Sequence, residues 1–321
     1  MKGLSKDSVA QLTLGEEAEG QRIDNYLLRI LKGVPKSHVY RILRSGEIRV
    51  NGRRAAPTVR LQIGDVVRVP PIRISDATQR PPAPAGSALT SRTLFEDAFM
   101  LVIDKPAGMA VHGGSGVAFG VIERLRVERP ELKFLELVHR LDKETSGVLL
   151  LAKKRSALTA LHEQIRAGRT GKRYLVLIKG DWRAPRQSVR LPLERHVLAS
   201  GERRVSVSED GKASHTNFRL MHRYGDFVLL EADLKTGRTH QIRVHLAHLG
   251  FPIAGDDKYG DFALNKELAR VGLKRMFLHA ARFDCLHPGS GEKLSLQAPL
   301  ASELASYLTR LKQAVGLPTV A

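Results

Sequence analysis

The chain has 321 residues, 42% hydrophobic and 26% charged, which suits a globular protein of one large or two modest domains with a real core. Lys and Arg number 52 against 33 Asp and Glu, a formal charge of +19 that repels itself unless an anion binds it. A phosphate backbone is the usual anion, and the charge alone favours nucleic acid only slightly over a solvated basic surface. The single cysteine, Cys285, excludes an internal disulfide and a cysteine-based zinc site and suits a reducing cytoplasm. The first fourteen residues lack the apolar run of a secretory signal, and no segment has the length needed to span a bilayer. A soluble cytoplasmic protein is expected.

In chain order, Ile23, Leu27, Ile30 and Leu31 follow helical spacing, with a break at Gly33-Val34-Pro35. A second helix follows, capped by Ser37, with Val39, Ile42 and Leu43 inside and Gly46 at its end. Asn51-Gly52 is the favoured two-residue turn of a hairpin whose Ile48 and Val50 point inward. A last strand covers Val66 to Val69. Residues 20 to 74 hold twelve Lys or Arg against three Asp or Glu, a balance of +9. The three prolines of the run Arg80 to Gly86 cannot continue a helix or an inner strand, so 75–91 reads as an extended linker.

Beyond it, Phe99 to Asp104, Val148 to Ala152 and Tyr174 to Ile178 read as strands. Phe218 to Met221 and Phe227 to Ala232 read as an antiparallel pair about Tyr224-Gly225-Asp226. Helices fit Gly120 to Glu128, Ser156 to Gly168, His240 to Leu249 and Leu300 to Lys312. The uneven alternation predicts an α+β fold, a mixed and largely antiparallel sheet with flanking helices.

Three stretches of the basic segment resemble the S4 RNA-binding domain: Gln21 to Leu27, Lys36 to Gly46, and Ile48 to Gly52. The resemblance assigns 1–74, with its core at 20–74, to a small S4-like domain. Arg41, Arg44, Arg53 and Arg54 lie on or near the polar face of the second helix and the hairpin tip, where they would track phosphates.

The segment His139-Arg140-Leu141-Asp142-Lys143-Glu144-Thr145-Ser146-Gly147 feeds directly into an apolar strand. Taken by itself it sets a carboxylate beside basic groups, which structural capping of a turn explains better than catalysis. The segment resembles, however, the defining motif of the pseudouridine synthases of the large ribosomal-RNA group. Lys105 to His112, a further motif of that family, precedes it, and Lys172-Arg173-Tyr174, Gly237 to Leu246, Gly255 to Gly260, and Leu278-His279-Ala280 follow in order. The family resemblance covers nearly the whole chain and assigns 92–321 to the catalytic domain.

The resemblance implies isomerisation of uridine at several positions of large-subunit ribosomal RNA. The N1–C1′ bond breaks, the base rotates, and C5 bonds to C1′. Nothing is gained or lost, so no second carboxylate is needed to activate water, unlike glycoside hydrolysis. The resemblance makes Asp142 the catalytic carboxylate, acting at C1′ or on the C2′ proton. Burial would disfavour its charge and a nearby Arg would oppose that, a duty the resemblance gives to Arg243. The target base must leave its stack, and Tyr174 matches the family tyrosine that stacks on it. Arg140 would fill the vacated space or bind phosphate, Arg238 fits a phosphate role, and His139 a structural one.

Rival readings are weaker on the residues. His245 and His248 have helical ligand spacing, but His240 and His245 do not, and no acid lies between Thr236 and Ile253, so no metal is expected. No phosphate-binding Gly-Lys-Ser/Thr loop exists, and no nucleotide cofactor is expected. His112-Gly113-Gly114-Ser115-Gly116 is a weak match to a phosphate-cradling loop. A binding-only ribosome-assembly factor would not need Asp142, Tyr174 and Arg243 together. An RNA glycosylase would want a second carboxylate, and the family turn directs Glu144 away. A monomer is the default.

Overall fold

The computed structural model describes residues 8–31, 33–72, 87–113, 119–198 and 202–316. They fall into two compact units, Met1–Ala85 and Gly86–Ala321. The proline run Arg80 to Gly86 and residues 114–116 of the glycine-rich loop lie outside the described residues.

The first unit runs β1 (Ala10–Thr13), α1 (Ile23–Ile30), α2 (Lys36–Arg44), β2 (Arg49–Val50), β3 (Arg53–Arg54) and β4 (Val66–Val69). Its strands form one antiparallel sheet in the order β1-β4-β2-β3. The apolar stripes of α1 and α2, with Ile23, Leu27, Val39 and Ile42, bury against Ile48, Leu61 and Val67. Asn51 and Gly52 both take left-handed backbone angles, φ 49° and 77°, as the tight hairpin turn requires. Ser37 does not cap α2. Pro35, with φ −56° and an extended ψ, starts the helix at Lys36, so Ser37 falls inside the first turn and no side chain caps it.

The second unit runs β5 (Thr93–Glu96), β6 (Met100–Lys105), α3 (Val121–Glu128), β7 (Glu136–Leu137), β8 (Ser146–Ala152), α4 (Arg155–Arg166) and β9 (Gly171–Lys179). It continues through β10 (Arg186–Val189), β11 (Leu193–Val197), β12 (Arg203–Val207), β13 (Thr216–Tyr224), β14 (Phe227–Leu234) and α5 (Gln241–His248). It closes with α6 (Phe262–Arg270), β15 (Leu278–Leu286), β16 (Lys293–Gln297) and α7 (Ser302–Ala314).

A ten-stranded sheet takes the order β10-β13-β14-β9-β15-β8-β6-β5, with β16 added to β15 and β7 to β8. Among the described residues only the β15–β8 pairing is parallel, where His279 faces Ser146 and Ala280 faces Gly147. The sheet is therefore mixed and largely antiparallel, and the fold is α+β. β8 is buried at all seven positions because both its faces are covered. Leu149 and Leu151 pack with Tyr174, Val176 and Leu230, while Val148 and Leu150 pack with Leu158 of α4 and Phe283. β11 and β12 form a separate hairpin. Among the described residues, no helix is long and apolar enough to cross a membrane.

Candidate active site

The loop that carries Asp142 is held from behind. Thr145 and Ser146 are buried, and Gly147 has φ 108°. A Cβ at Gly147 would stand 2.2 Å from the Ala280 carbonyl oxygen, so the parallel junction with β15 demands glycine. Arg275 donates to the Ser146 hydroxyl at 2.9 Å and to the Glu144 carbonyl at 3.2 Å. The Ser146 hydroxyl has thus accepted one bond and gives its proton to His279 Nδ1, 2.9 Å away, leaving Nε2–H for the Ala298 carbonyl. Burial pushes His279 down to about 4, consistent with that neutral ring.

Lys105 is fully buried and donates to the carbonyls of Pro106, Met109 and Lys143. It ties the 106–109 loop to the Asp142 loop. Burial, with Arg275 nearby, lowers its pKa to about 7. His139 accepts from the Leu150 N–H at 3.2 Å and stacks on Phe283, a structural duty.

Asp142 faces a cavity of about 770 Å³. Its backbone carbonyl accepts from Thr145 N–H, but its side chain makes no hydrogen bond among the described residues, so it caps nothing. Arg243 Nη1 lies 3.6 Å from Asp142 Oδ2, and His240 Nε2 lies 3.9 Å away. Tyr174 lines the same cavity. Burial, and secondarily Asp142, pushes its phenol above its ordinary range, so it stays protonated.

Arg243 is itself gripped. Nε and Nη2 each donate to Asp256 at 2.7 Å, a bidentate pair in which both side chains are almost completely buried. Asp256 Oδ1 also accepts from the N–H groups of Lys258 and Tyr259. Burial opposes the charge of Asp256, but these four bonds outweigh it and lower its pKa. The guanidinium lies 5.1 Å from the Tyr259 ring centroid. The arginine is therefore fixed by Asp256 and only faces Asp142.

His240 starts α5 from a left-handed backbone, φ 55°, one residue before the helix proper. Its Nδ1 is 2.8 Å from the Tyr259 hydroxyl, which already accepts from Val205 N–H at 3.0 Å. That arrangement lets the hydroxyl donate to Nδ1 and leaves Nε2–H facing Asp142. Burial lowers the His240 pKa, against the opposing pull of Asp142.

The structure thus brings Asp142, Tyr174 and Arg243 to one cavity, with exposed Arg140 and Arg238 also lining it. Arg41, Arg44, Arg53 and Arg54 are exposed in the first unit. Arg41 sits 3.4 Å from Glu47, and Arg44 and Arg54 donate to the Tyr40 and Ser45 carbonyls. Glu144 lines a second cavity, with Lys105 and Arg275. Sequence reasoning assigned no role to His240, Asp256 or Tyr259. The signal for the last two was two acids and a tyrosine in a glycine-bounded turn, Gly255 to Gly260.

The RNA pseudouridylate synthase family matches residues 99–248, and the S4 domain matches residues 21–67. Ribosomal large subunit pseudouridine synthase C of Pasteurella multocida is 52% identical over 309 residues, 95% of each chain. The protein of that name from Haemophilus influenzae is 51% identical over 95% of this chain and 96% of its own. Among solved structures, human RNA pseudouridylate synthase domain containing 4 is similar at a TM-score of 0.58 and 26% identity, covering 70% of this chain and 94% of its own.

Proposed function

This chain belongs to the RNA pseudouridylate synthase family, and on that premise we propose that it converts uridine to pseudouridine at several positions of large-subunit ribosomal RNA, with Asp142 as the acting carboxylate. The activity follows from the family. The substrate follows the relatives' name and is supported by the S4 match and the charge of +19. The observation that carries the mechanism is that Asp142 is the one carboxylate lining the cavity among the described residues, free of hydrogen bonds and opposite Arg243.

In this reading the uridine leaves its stack and enters the cavity base first. The Tyr174 ring gives it a stacking surface worth on the order of 1–3 kcal/mol. Asp142 acts at C1′ or removes the C2′ proton, the N1–C1′ bond opens, and the base turns to offer C5. Arg243 faces the carboxylate and favours its charged form, while Asp256 keeps the arginine from closing on it. We assign the Tyr174 hydroxyl, which accepts the proton leaving C5 as it gives up its own, to a relay in which N1 takes up one proton, so none is gained or lost overall. Arg140 and Arg238, at the cavity's lining, hold the backbone of the flipped nucleotide. The first unit, through Arg41, Arg44, Arg53 and Arg54, supplies phosphate contacts that give affinity without sequence choice. We read 1–74 as that binding domain, 75–91 as its linker and 92–321 as the catalytic domain. We take the chain to act as a monomer.

Pseudouridine mapping, by carbodiimide treatment and primer extension, tests the proposal on large-subunit ribosomal RNA from three strains: with the protein, without it, and with Asp142→Asn. Stops present only with the intact protein are expected. Stops that persist with Asp142→Asn would remove the carboxylate from the mechanism. No difference among strains would remove the substrate.

A further inference from the structure

Side chains alternate along a strand, so Lys172 and Tyr174, two apart on β9, share the face that lines the cavity. Lys172 is half-buried, and its ammonium packs beside Gly237, 3.7 Å from where a Cβ there would stand. Among the described residues its Nζ makes no hydrogen bond and no ion pair. The acid that acts on it through space, Asp233, has its own partner in Lys235 at 2.7 Å. Other enclosed lysines are satisfied: Lys105 by three carbonyls, Lys153 by Glu96 and the Asp97 carbonyl. Lys172 alone among these bears the desolvation of its charge with no protein group in return.

The cavity is built for an anion at this edge. Its described lining holds six Lys or Arg side chains and one carboxylate. Arg243 is spent on Asp256, whereas Lys172 is not spent on anything. At a rise of about 3.4 Å per residue, Lys172 sits about 7 Å along β9 from the Tyr174 platform, roughly a base-to-phosphate reach for one nucleotide. A full negative charge compensates a desolvated ammonium far better than a neutral uracil carbonyl does.

Resting on the proposed function above, we propose that Lys172 is a substrate-contacting residue, whose ammonium receives a phosphate oxygen next to the flipped uridine while Tyr174 stacks on its base. The lysine thereby sets how deep the nucleotide enters.

The test is salt-dependent binding of an unmodified large-subunit ribosomal RNA transcript, measured in the Asp142→Asn background so that turnover plays no part. Lys172→Met should weaken binding on the order of tenfold and reduce the slope of log K against log salt by about 0.7–0.9, one phosphate contact. Lys172→Arg should keep both. The melting temperature of Lys172→Met should be unchanged or raised, because an unpaired buried charge is removed. In the active protein the loss should fall on KM more than on kcat. An unchanged slope and affinity would overturn the proposal, as would a lower melting temperature with an unchanged slope, which marks a structural lysine. A loss confined to kcat, again at unchanged slope, would give the ammonium to the base instead and overturn it equally. A wild type that forms no pseudouridine in this RNA would sink the proposed function, while the slope comparison would still decide the lysine.

Discussion

Replacing Asp256 by Asn removes a charge and leaves the shape. The Asn oxygen can still accept from Lys258 and Tyr259 N–H, as Asp256 does at 2.8 and 3.0 Å. Arg243 keeps its Nη2 bond to that oxygen, but Nε loses its 2.7 Å bond to the second oxygen, meets an amide N–H₂ in its place, and the counter-charge is gone. Breaking one side of a buried ion pair costs about 3–5 kcal/mol, mostly for the charge left behind. Asp142 at 3.6 Å and the exposed Asp257 at 3.4 Å give Arg243 partial compensation, which argues for the lower end. About 3 kcal/mol corresponds to a fall of about 6–12 °C in Tm for a unit of this size. Arg243→Met should cost a similar amount, because it strands Asp256. The double variant carries neither charge and should recover at least about 2 kcal/mol of the summed losses. Thermal and denaturant unfolding of the four proteins measure the cycle. Pseudouridine formation by Asp256→Asn should fall on the order of 10- to 100-fold, because Arg243 shifts out of register with Asp142. Additive losses, or a Tm change under 2 °C for Asp256→Asn, would refute the claim that Asp256 is what holds Arg243 in place.

Gly147→Ala forces a Cβ to 2.2 Å from the Ala280 carbonyl at φ 108°, and soluble yield and Tm should drop together; a Tm within 2 °C of wild type would contradict the junction described here. Tyr259→Phe leaves the buried Val205 N–H unpaired at about 1–3 kcal/mol and frees the His240 ring, so Tm and kcat should both decline while KM holds; unchanged kcat would detach His240 from Asp142. Burial pushes His245 and His279 down to about 4, so folded protein refuses two protons that the unfolded chain accepts from pH 6.5 downward. Their contribution is complete above pH 6.5 and is lost as pH falls toward 4, with stability dropping by about 2–3 kcal/mol per pH unit near pH 5; a Tm that stays flat between pH 7 and 5 would contradict it.

The elements legible in the sequence were those whose periodicity is uninterrupted. α1 and α2 carry one apolar stripe each, and β8 is a continuous apolar run because both its faces are covered. β15 was not legible, since His279 and Arg282 break its pattern, although His279 is wholly buried and earns its place by a bond to Ser146. α6 begins at the Asp261 cap, which accepts from Ala263 and Leu264 N–H, but Phe262 and Val271 at its ends are exposed and blur the stripe. The start of α5 was misjudged by one residue because nothing in the sequence marks His240 as left-handed. Within the site, Asp142, Tyr174 and Arg243 were named from motifs. The grip of Asp256 on Arg243 was not, because a pairing thirteen residues apart across a turn has no periodic signature. Lys172 stood in a quoted motif without a role, since its lack of a partner is visible only in three dimensions.

On the proposed reading, the arrangement of carboxylates favours isomerisation over hydrolysis. A hydrolase that cleaves the same bond divides its work between two carboxyl groups, one for the leaving group and one for water. Four acids lie near the centre of this site among the described residues, and three are placed elsewhere, the exposed Asp257 among them, which does not line the cavity. Asp256 has both oxygens committed to Arg243 and two backbone N–H groups. Glu144 lies two residues from Asp142 yet lines the other cavity, because Arg275 and Lys105 pull the 143–146 backbone against β15 and the 106–109 loop. Asp142 is left as the one carboxylate lining the cavity among the described residues, with six Lys or Arg side chains in the lining and no second carboxylate to share acid and base work with it. On the proposed reading, the lack of a second carboxylate in the cavity lining among the described residues favours return of the detached base to C1′ through C5 over its loss to water.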